Sequence, residues 1–276
     1  MSVATVEKLT DSVGAIVHGV DKERLLHDDS LAEWTLTALE QNGALVFRDL
    51  HIDDDTQIAF SRKLGTLELL GKPDKPEIFQ VTLDQSKNRS AQYLKGTFDW
   101  HIDGLTDDIP IMATVLSAVA VADEGGETEF ASTYGAYDAL SDEDKERYES
   151  IRVVHTIEAS QRGVNPNPSP EVLAILRSRP AKTHPLIWEH RDGRKSLVLG
   201  ATADYIEGMD EEEGRKLLAE LLDFSTTPDK VYRHEWQVGD MVIWDNRGVL
   251  HRALRYPEDS PRDMHRCTLA GDEAIK

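Results

Sequence analysis

The C-terminal third of the chain is a close succession of short strand-like segments, and no other feature restricts the fold as much. "THPLIWEH" (183–190) and "KSLVLG" (195–200) flank the turn "RDGR", whose Asp192-Gly193 step is a hairpin signal. "VYRHEWQ", "DMVIWDN", "HRALRY" and "HRCTLAG" follow. Such a succession predicts an architecture that is mainly β with flanking helices.

Upstream, strands alternate with helices. Short strands are expected around Val6 and over Gly14 to Val20. An amphipathic helix then starts at Ser30, with Leu31, Trp34, Leu36 and Leu39 on its apolar side. "GALVFRDL" reads as a buried strand. Asp53 to Leu64 reads as a helix with acidic residues at its start and Gly65 as its stop. Segment 83–97 is polar and aperiodic and is expected to be a loop, as is the Pro/Asn/Ser-rich segment 158–170; both are candidates for a substrate lid. "IMATVLSAVAVA" and "ETEFAS" read as strands joined by the Gly-Gly turn at 122–126. "SDEDKERYESI" and residues 210–223 read as helices. With no repeat or linker, one domain is expected over 1–276.

The 276 residues are 39% apolar, enough for a substantial core, but carry 51 acidic against 31 basic side chains, a formal charge of −20. That charge repels phosphate backbones and anionic lipid, so neither nucleic acid nor a membrane is an expected partner. An anionic substrate would need arginines concentrated locally. Cys267 is the only cysteine, which excludes an intrachain disulfide and a cysteine-based zinc site. No signal-peptide pattern or long apolar run is present, so a soluble cytoplasmic protein is expected.

"FDWHIDG" (98–104) raises the chemical question. On a strand, side chains at i and i+2 share a face, so His101 and Asp103 could present an imidazole and a carboxylate to one point. A lone pair of this kind is also an ordinary polar strand end, and a third ligand decides between the two. His27 and His51 lie among charged loop residues. His18, His155, His184, His190 and His234 lie in strand-like segments where structural roles are expected. His251 stands apart, in "GDMVIWDNRGVLHRALRYPEDSPRDMHRCTLAGD", followed by Arg262 and Arg266. If 262–268 is a strand, Arg262, Met264 and Arg266 share one face, and His265 and Cys267 the other. Two histidines and a carboxylate form the facial ligand set of non-haem Fe(II) oxygenases, whose open positions accept a 2-oxo acid and dioxygen. A distal carboxylate on that acid calls for a guanidinium fork, for which Arg262 is the candidate.

These residues give the chain a clear resemblance to the TauD/TfdA family of Fe(II)- and 2-oxoglutarate-dependent dioxygenases. The likeness rests on "WHID" (100–103), "GGETEFAS" (125–132), "THP" (183–185), "GDMVIWDNRGVLHRA" (239–253) and "RDMHRCTLAGD" (262–272). The resemblance implies a double-stranded β-helix, or jelly-roll, core. It implies that His101, Asp103 and His251 bind Fe(II), that Arg262 and Thr128 hold the distal carboxylate of the co-substrate 2-oxoglutarate, and that Arg266 holds the anionic head of the substrate. It further implies hydroxylation of a small organic anion using dioxygen, with succinate and CO2 as co-products, by an oxidoreductase expected to form a homo-oligomer.

The chain departs from taurine-specific relatives, which place a histidine in the stretch before the HxD. "GTLELLGKPDKPEIFQ" has none, and Leu69 and Leu70 are expected either to wall an apolar substrate pocket or to be core residues. An alkyl or aryl sulfonate, sulfate ester or carboxylate such as a phenoxy acid is therefore expected, rather than taurine. Two other readings remain at this level: a zinc-dependent hydrolase, which gives Arg262 no role, and a non-catalytic jelly-roll anion-binding protein.

Overall fold

The computed structural model describes residues 3–276. Seven strands form the larger sheet, in the spatial order Thr5–Lys8, Ala15–His18, Ala44–Phe47, Met241–Asp245, Ala113–Ala120, Asp263–Leu269 and Phe79–Val81. All neighbours are antiparallel except Ala15–His18 with Ala44–Phe47. A second sheet holds Val231–His234, Thr128–Ser132 and Val249–Ala253. The two form the jelly-roll core, with neither sheet closed into a barrel.

The period-two alternation of strand side chains builds two apolar layers. Along Met241–Asp245, Val242 and Trp244 join Val46, Leu116 and Met264 against Phe130, Tyr232 and Val249 of the second sheet. Met241 and Ile243 point the other way, with Leu45, Phe47, Val115 and Leu269, under Leu31 and Leu39 of helix Ser30–Asn42 and Ile58 and Phe60 of helix Asp54–Leu64. A strand covered on both faces reads as the near-continuous apolar run "MVIW". Ile243 is fully buried, and trimming it to alanine is expected to cost about 2–5 kcal/mol.

Helix Asp54–Leu64 begins where its sequence says it should, because the Asp53 carboxylate accepts from the Thr56 backbone N–H at 2.9 Å. The two expected loops are more ordered than their composition suggests. Segment 83–97 contains helix Ala91–Leu94 and leads into the 3-10 turn Lys95–Phe98. Residues 158–170 start inside helix Ile157–Gln161, capped by Thr156, and end at helix Pro170–Arg177, capped by Ser169 with proline in its first turn. Leu69 and Leu70 are not core; they stand 65% and 45% exposed. Among the described residues no helix is long and apolar enough to cross a membrane.

Candidate active site

His101 and Asp103 reach a common point by a different route from a strand face. His101 forms an isolated antiparallel bridge with His251, and Asp103 lies in the turn that follows. The two histidines exchange both backbone hydrogen bonds, His101 N to His251 O at 3.0 Å and His251 N to His101 O at 2.9 Å. This brings their rings to 4.1 Å between centroids. Gly200 makes room for the bridge: a Cβ there would lie 2.9 Å from His101 Cα and 3.0 Å from the Trp100 carbonyl.

The ligating atoms of His101, Asp103 and His251 lie within 4.8 Å of one another, and each histidine Nε2 is 3.8 Å from an Asp103 carboxylate oxygen. The protonation states suit a metal. His101 Nδ1 lies 2.9 Å from the Asp99 carbonyl, which can only accept, so in the neutral ring the proton sits on Nδ1 and the lone pair on Nε2. Burial, aided by the neighbouring His101, pushes His251 down to about 3, so it is neutral at physiological pH. Burial alone would favour the neutral acid of Asp103, but the charge of Arg266, with help from the Thr114 hydroxyl, prevails and holds it below the usual carboxylate range. Asp103 is steadied by a chain of polar contacts: Trp244 Nε1 donates to Asn246 (3.2 Å), Asn246 Nδ2 to Thr114 Oγ1 (3.0 Å), and Thr114 Oγ1 to Asp103 Oδ2 (3.4 Å). Two imidazoles and one carboxylate with other positions open are the donor set of a ferrous site.

Thr128, Arg262 and Arg266 line one cavity with His101 and His251. The strand begins at Asp263 rather than at Arg262, and a register shift at Asp263/Met264 interrupts its alternation, yet Arg262 and Arg266 line the same cavity, while His265 contacts Asp54 at 2.5 Å. Arg262 is 3% exposed, and among the described residues no carboxylate lies within ion-pair distance of it. Its Nε donates to the Gly126 carbonyl at 3.3 Å, and a Cβ on Gly126 would crowd its side chain at 3.0 Å, which gives the "GG" of 125–126 a steric purpose. Thr128 Oγ1 accepts from Trp236 Nε1 at 2.9 Å, leaving the threonine proton to donate elsewhere. A buried cation without a counter-ion, beside an uncommitted hydroxyl donor, fits the distal carboxylate of 2-oxoglutarate.

A second cavity lies on the other side of His101 and Asp103. Tyr93, Gly96 and Thr97 come to it from one expected loop, Ile157, Ser160 and Gln161 from the region of the other, and Ile102 and Leu105 from the HxD turn. The two segments meet tightly, since a Cβ on Gly96 would stand 2.6 Å from Gln161 Nε2. Leu70 borders a separate outer groove with Lys75, Gln80 and His265. Neither Leu69 nor Leu70 lines the cavities beside His101, whose second one has Ile102, Leu105 and Ile157 as apolar lining. Thr114, Trp236 and Asn246 carry no isolated sequence signal.

The fold and this side-chain group fit a metal-dependent enzyme with a dicarboxylate co-substrate. The pattern described as "Taurine catabolism dioxygenase TauD, TfdA family" matches residues 5–268, and the chain belongs to that family. It is 36% identical over 253 residues to the alpha-ketoglutarate-dependent 2,4-dichlorophenoxyacetate dioxygenase of Cupriavidus pinatubonensis, covering 86% of this chain and 88% of that protein. It is 34% identical over 284 residues to the (S)-phenoxypropionate/alpha-ketoglutarate-dioxygenase of Sphingobium herbicidovorans, covering 98% and 96%. The crystal structure of AAD-2 in complex with Mn(II) and N-oxalylglycine superposes with a TM-score of 0.84 at 32% identity, covering 99% of this chain and 100% of that one. The protein is an iron- and 2-oxoglutarate-dependent dioxygenase, an oxidoreductase. These likenesses support neither the zinc hydrolase nor the silent anion-binding protein.

Proposed function

We propose that the protein hydroxylates a small organic anion with an apolar body, a phenoxy carboxylate first among them, at the carbon beside its ether oxygen. Arg266 carries this reading. Its guanidinium comes within 3.4 Å of Asp103 Oδ2, and its buried Nε has no partner. A cation with an unmet donor beside the metal ligands suits an anionic head, and Ile102, Leu105, Ile157 and Tyr93 suit an apolar or aryl body. The relatives named for phenoxy acids support the same choice.

In this reading His101, Asp103 and His251 hold ferrous iron, and Thr128 and Arg262 hold the distal carboxylate of 2-oxoglutarate. The iron, when bound, supplies activation of dioxygen coupled to oxidation of 2-oxoglutarate to succinate and CO2. The protein's own part is orientation: Arg266 fixes the substrate anion, the segments around Tyr93 and Ile157 exclude water, and Asn246 and Thr114 steady Asp103. One oxygen atom of dioxygen enters succinate and the other the substrate. Hydroxylation beside an ether oxygen gives a hemiacetal, which collapses to a phenol and a carbonyl compound.

The test is steady-state succinate formation by wild type and Arg266→Gln with phenoxyacetate, an alkyl sulfate and taurine. The reading requires phenoxyacetate turnover and an increase in its KM of about a hundredfold in the variant, the scale of a lost charge-assisted pair. An unchanged KM would overturn the role of Arg266. The same reading takes 1–276 as one domain and the protein as a cytoplasmic homo-oligomer that needs neither nucleic acid nor membrane; light scattering tests the assembly.

A further inference from the structure

Arg262 is placed by surroundings that its chain position does not explain. The guanidinium carbon lies 4.9 Å over the ring of Tyr256, a half-buried residue in the segment between strands Val249–Ala253 and Asp263–Leu269. Its Nε donates to the Gly126 carbonyl, its backbone N–H donates to Ser260 Oγ, and the guanidinium also hydrogen-bonds the Tyr256 side chain. A guanidinium attracted to an aromatic ring uses its face, so N–H groups not taken by Gly126 and Tyr256 stay available to a carboxylate.

Tyr256 is itself fixed. Leu254 N donates to the Glu127 carbonyl at 2.8 Å, and Gly125 lets the backbone pass so closely that a Cβ would stand 2.1 Å from the Arg255 carbonyl oxygen. Phe98 meets the Tyr256 ring edge-on at 5.8 Å, and Arg255 lies 5.2 Å over Phe98. Lys95 and Glu258 pair at 2.6 Å, tying the two segments together. These contacts bring the turn preceding the HxD and the segment preceding Arg262 together beside one pocket.

We propose that Tyr256 is a positioning residue for the co-substrate: its ring holds the Arg262 guanidinium in the orientation that accepts the distal carboxylate, and Phe98 braces the ring. The proposal rests on the reading of Arg262 as the 2-oxoglutarate anchor. It assigns Tyr256 to binding of the co-substrate and gives it no part in the oxidation.

The experiment is calorimetric titration of 2-oxoglutarate into Mn(II)-loaded wild type, Tyr256→Phe and Tyr256→Leu, with steady-state KM and kcat from the Fe(II) forms. Tyr256→Leu is expected to raise the Kd and KM for 2-oxoglutarate about tenfold, with kcat at saturation within about twofold of wild type, while Tyr256→Phe restores binding to within about twofold. Leucine binding as tightly as wild type would overturn the proposal, and so would phenylalanine binding as weakly as leucine. Should Tyr256→Leu fail to fold, Phe98→Leu replaces it, with an expected increase in Kd of about threefold from the lost edge contact; an unchanged Kd there also overturns it. Failure of wild type to bind 2-oxoglutarate would sink the reading of Arg262 itself, whereas wild-type binding with an indifferent Tyr256→Leu sinks the positioning role alone.

Discussion

Replacing Arg262 by leucine should affect binding and stability very differently. In the free protein the guanidinium is 3% exposed and has no carboxylate partner, a burial that costs several kcal/mol. The Tyr256 face returns about 1–2 kcal/mol and the bond to the Gly126 carbonyl about 1.5–3 kcal/mol. Leucine loses those contacts but also removes the buried charge, so stability without ligand should change by no more than about 1 kcal/mol. Binding is different. A carboxylate that enters the pocket and finds no partner loses about 3–5 kcal/mol, or about 200- to 5,000-fold in Kd.

The assay is thermal unfolding of the Mn(II)-loaded protein with and without 2-oxoglutarate. At a hundred times its Kd, the ligand should stabilise wild type by about 2.7 kcal/mol, and Arg262→Leu at the same concentration by under about 0.3 kcal/mol. For a chain of 276 residues the wild-type gain is a rise of about 5 °C in Tm, and the variant should show almost none. A leucine variant that keeps the full rise would refute the assignment of Arg262.

Thr114→Val removes the hydroxyl that reaches Asp103 and should weaken Mn(II) binding by about 10- to 100-fold in a calorimetric titration, with the fold intact by circular dichroism. Glu129 is a buried carboxylate paired with Arg233 and Arg252 at 2.6 and 2.7 Å, so Glu129→Gln should cost about 3 kcal/mol in urea unfolding, at the low end because Arg233 is half-exposed. His155 is fully buried, and burial pushes it from 6.5 down to about 3. The unfolded chain therefore takes up a proton near pH 6.5 while the folded one does not: the stability is complete above that pH and falls as the pH drops toward 3. By about pH 5 the loss from this residue reaches about 2 kcal/mol, so His155→Gln should flatten the decline in Tm between pH 7 and 5, and an equal decline would contradict the argument.

The core was legible because it follows alternation. The run "MVIW" announces a strand covered on both sides, whereas Arg262 precedes strand Asp263–Leu269 and a register shift at Asp263/Met264 lies between it and Arg266, so their shared cavity does not follow from spacing alone. The HxD was legible as chemistry but not as geometry. What joins His101 to His251 is a single bridge between residues 150 positions apart, which no local pattern encodes. Helix Ile157–Gln161 spans five residues, too short for a 3.6-residue period to show. Helix Pro170–Arg177 did carry a signal, serine at the cap followed by proline. Leu69 and Leu70 misled because an apolar pair suggests a wall, whereas here both stand at the surface of a segment whose outer groove is bordered by lysines. Thr114 and Asn246 act through partners distant in sequence, so their contacts became visible only in three dimensions.

The most direct test of the account is oxygen uptake by the Fe(II)-loaded protein with 2-oxoglutarate, measured with and without phenoxyacetate and followed by assay of succinate and phenol. The account predicts that phenoxyacetate accelerates uptake and that phenol and succinate appear in equal amounts. Uptake that phenoxyacetate leaves unchanged, with no phenol released, would contradict the substrate class; no 2-oxoglutarate-dependent uptake with any organic anion, despite bound iron, would contradict the assignment of the site.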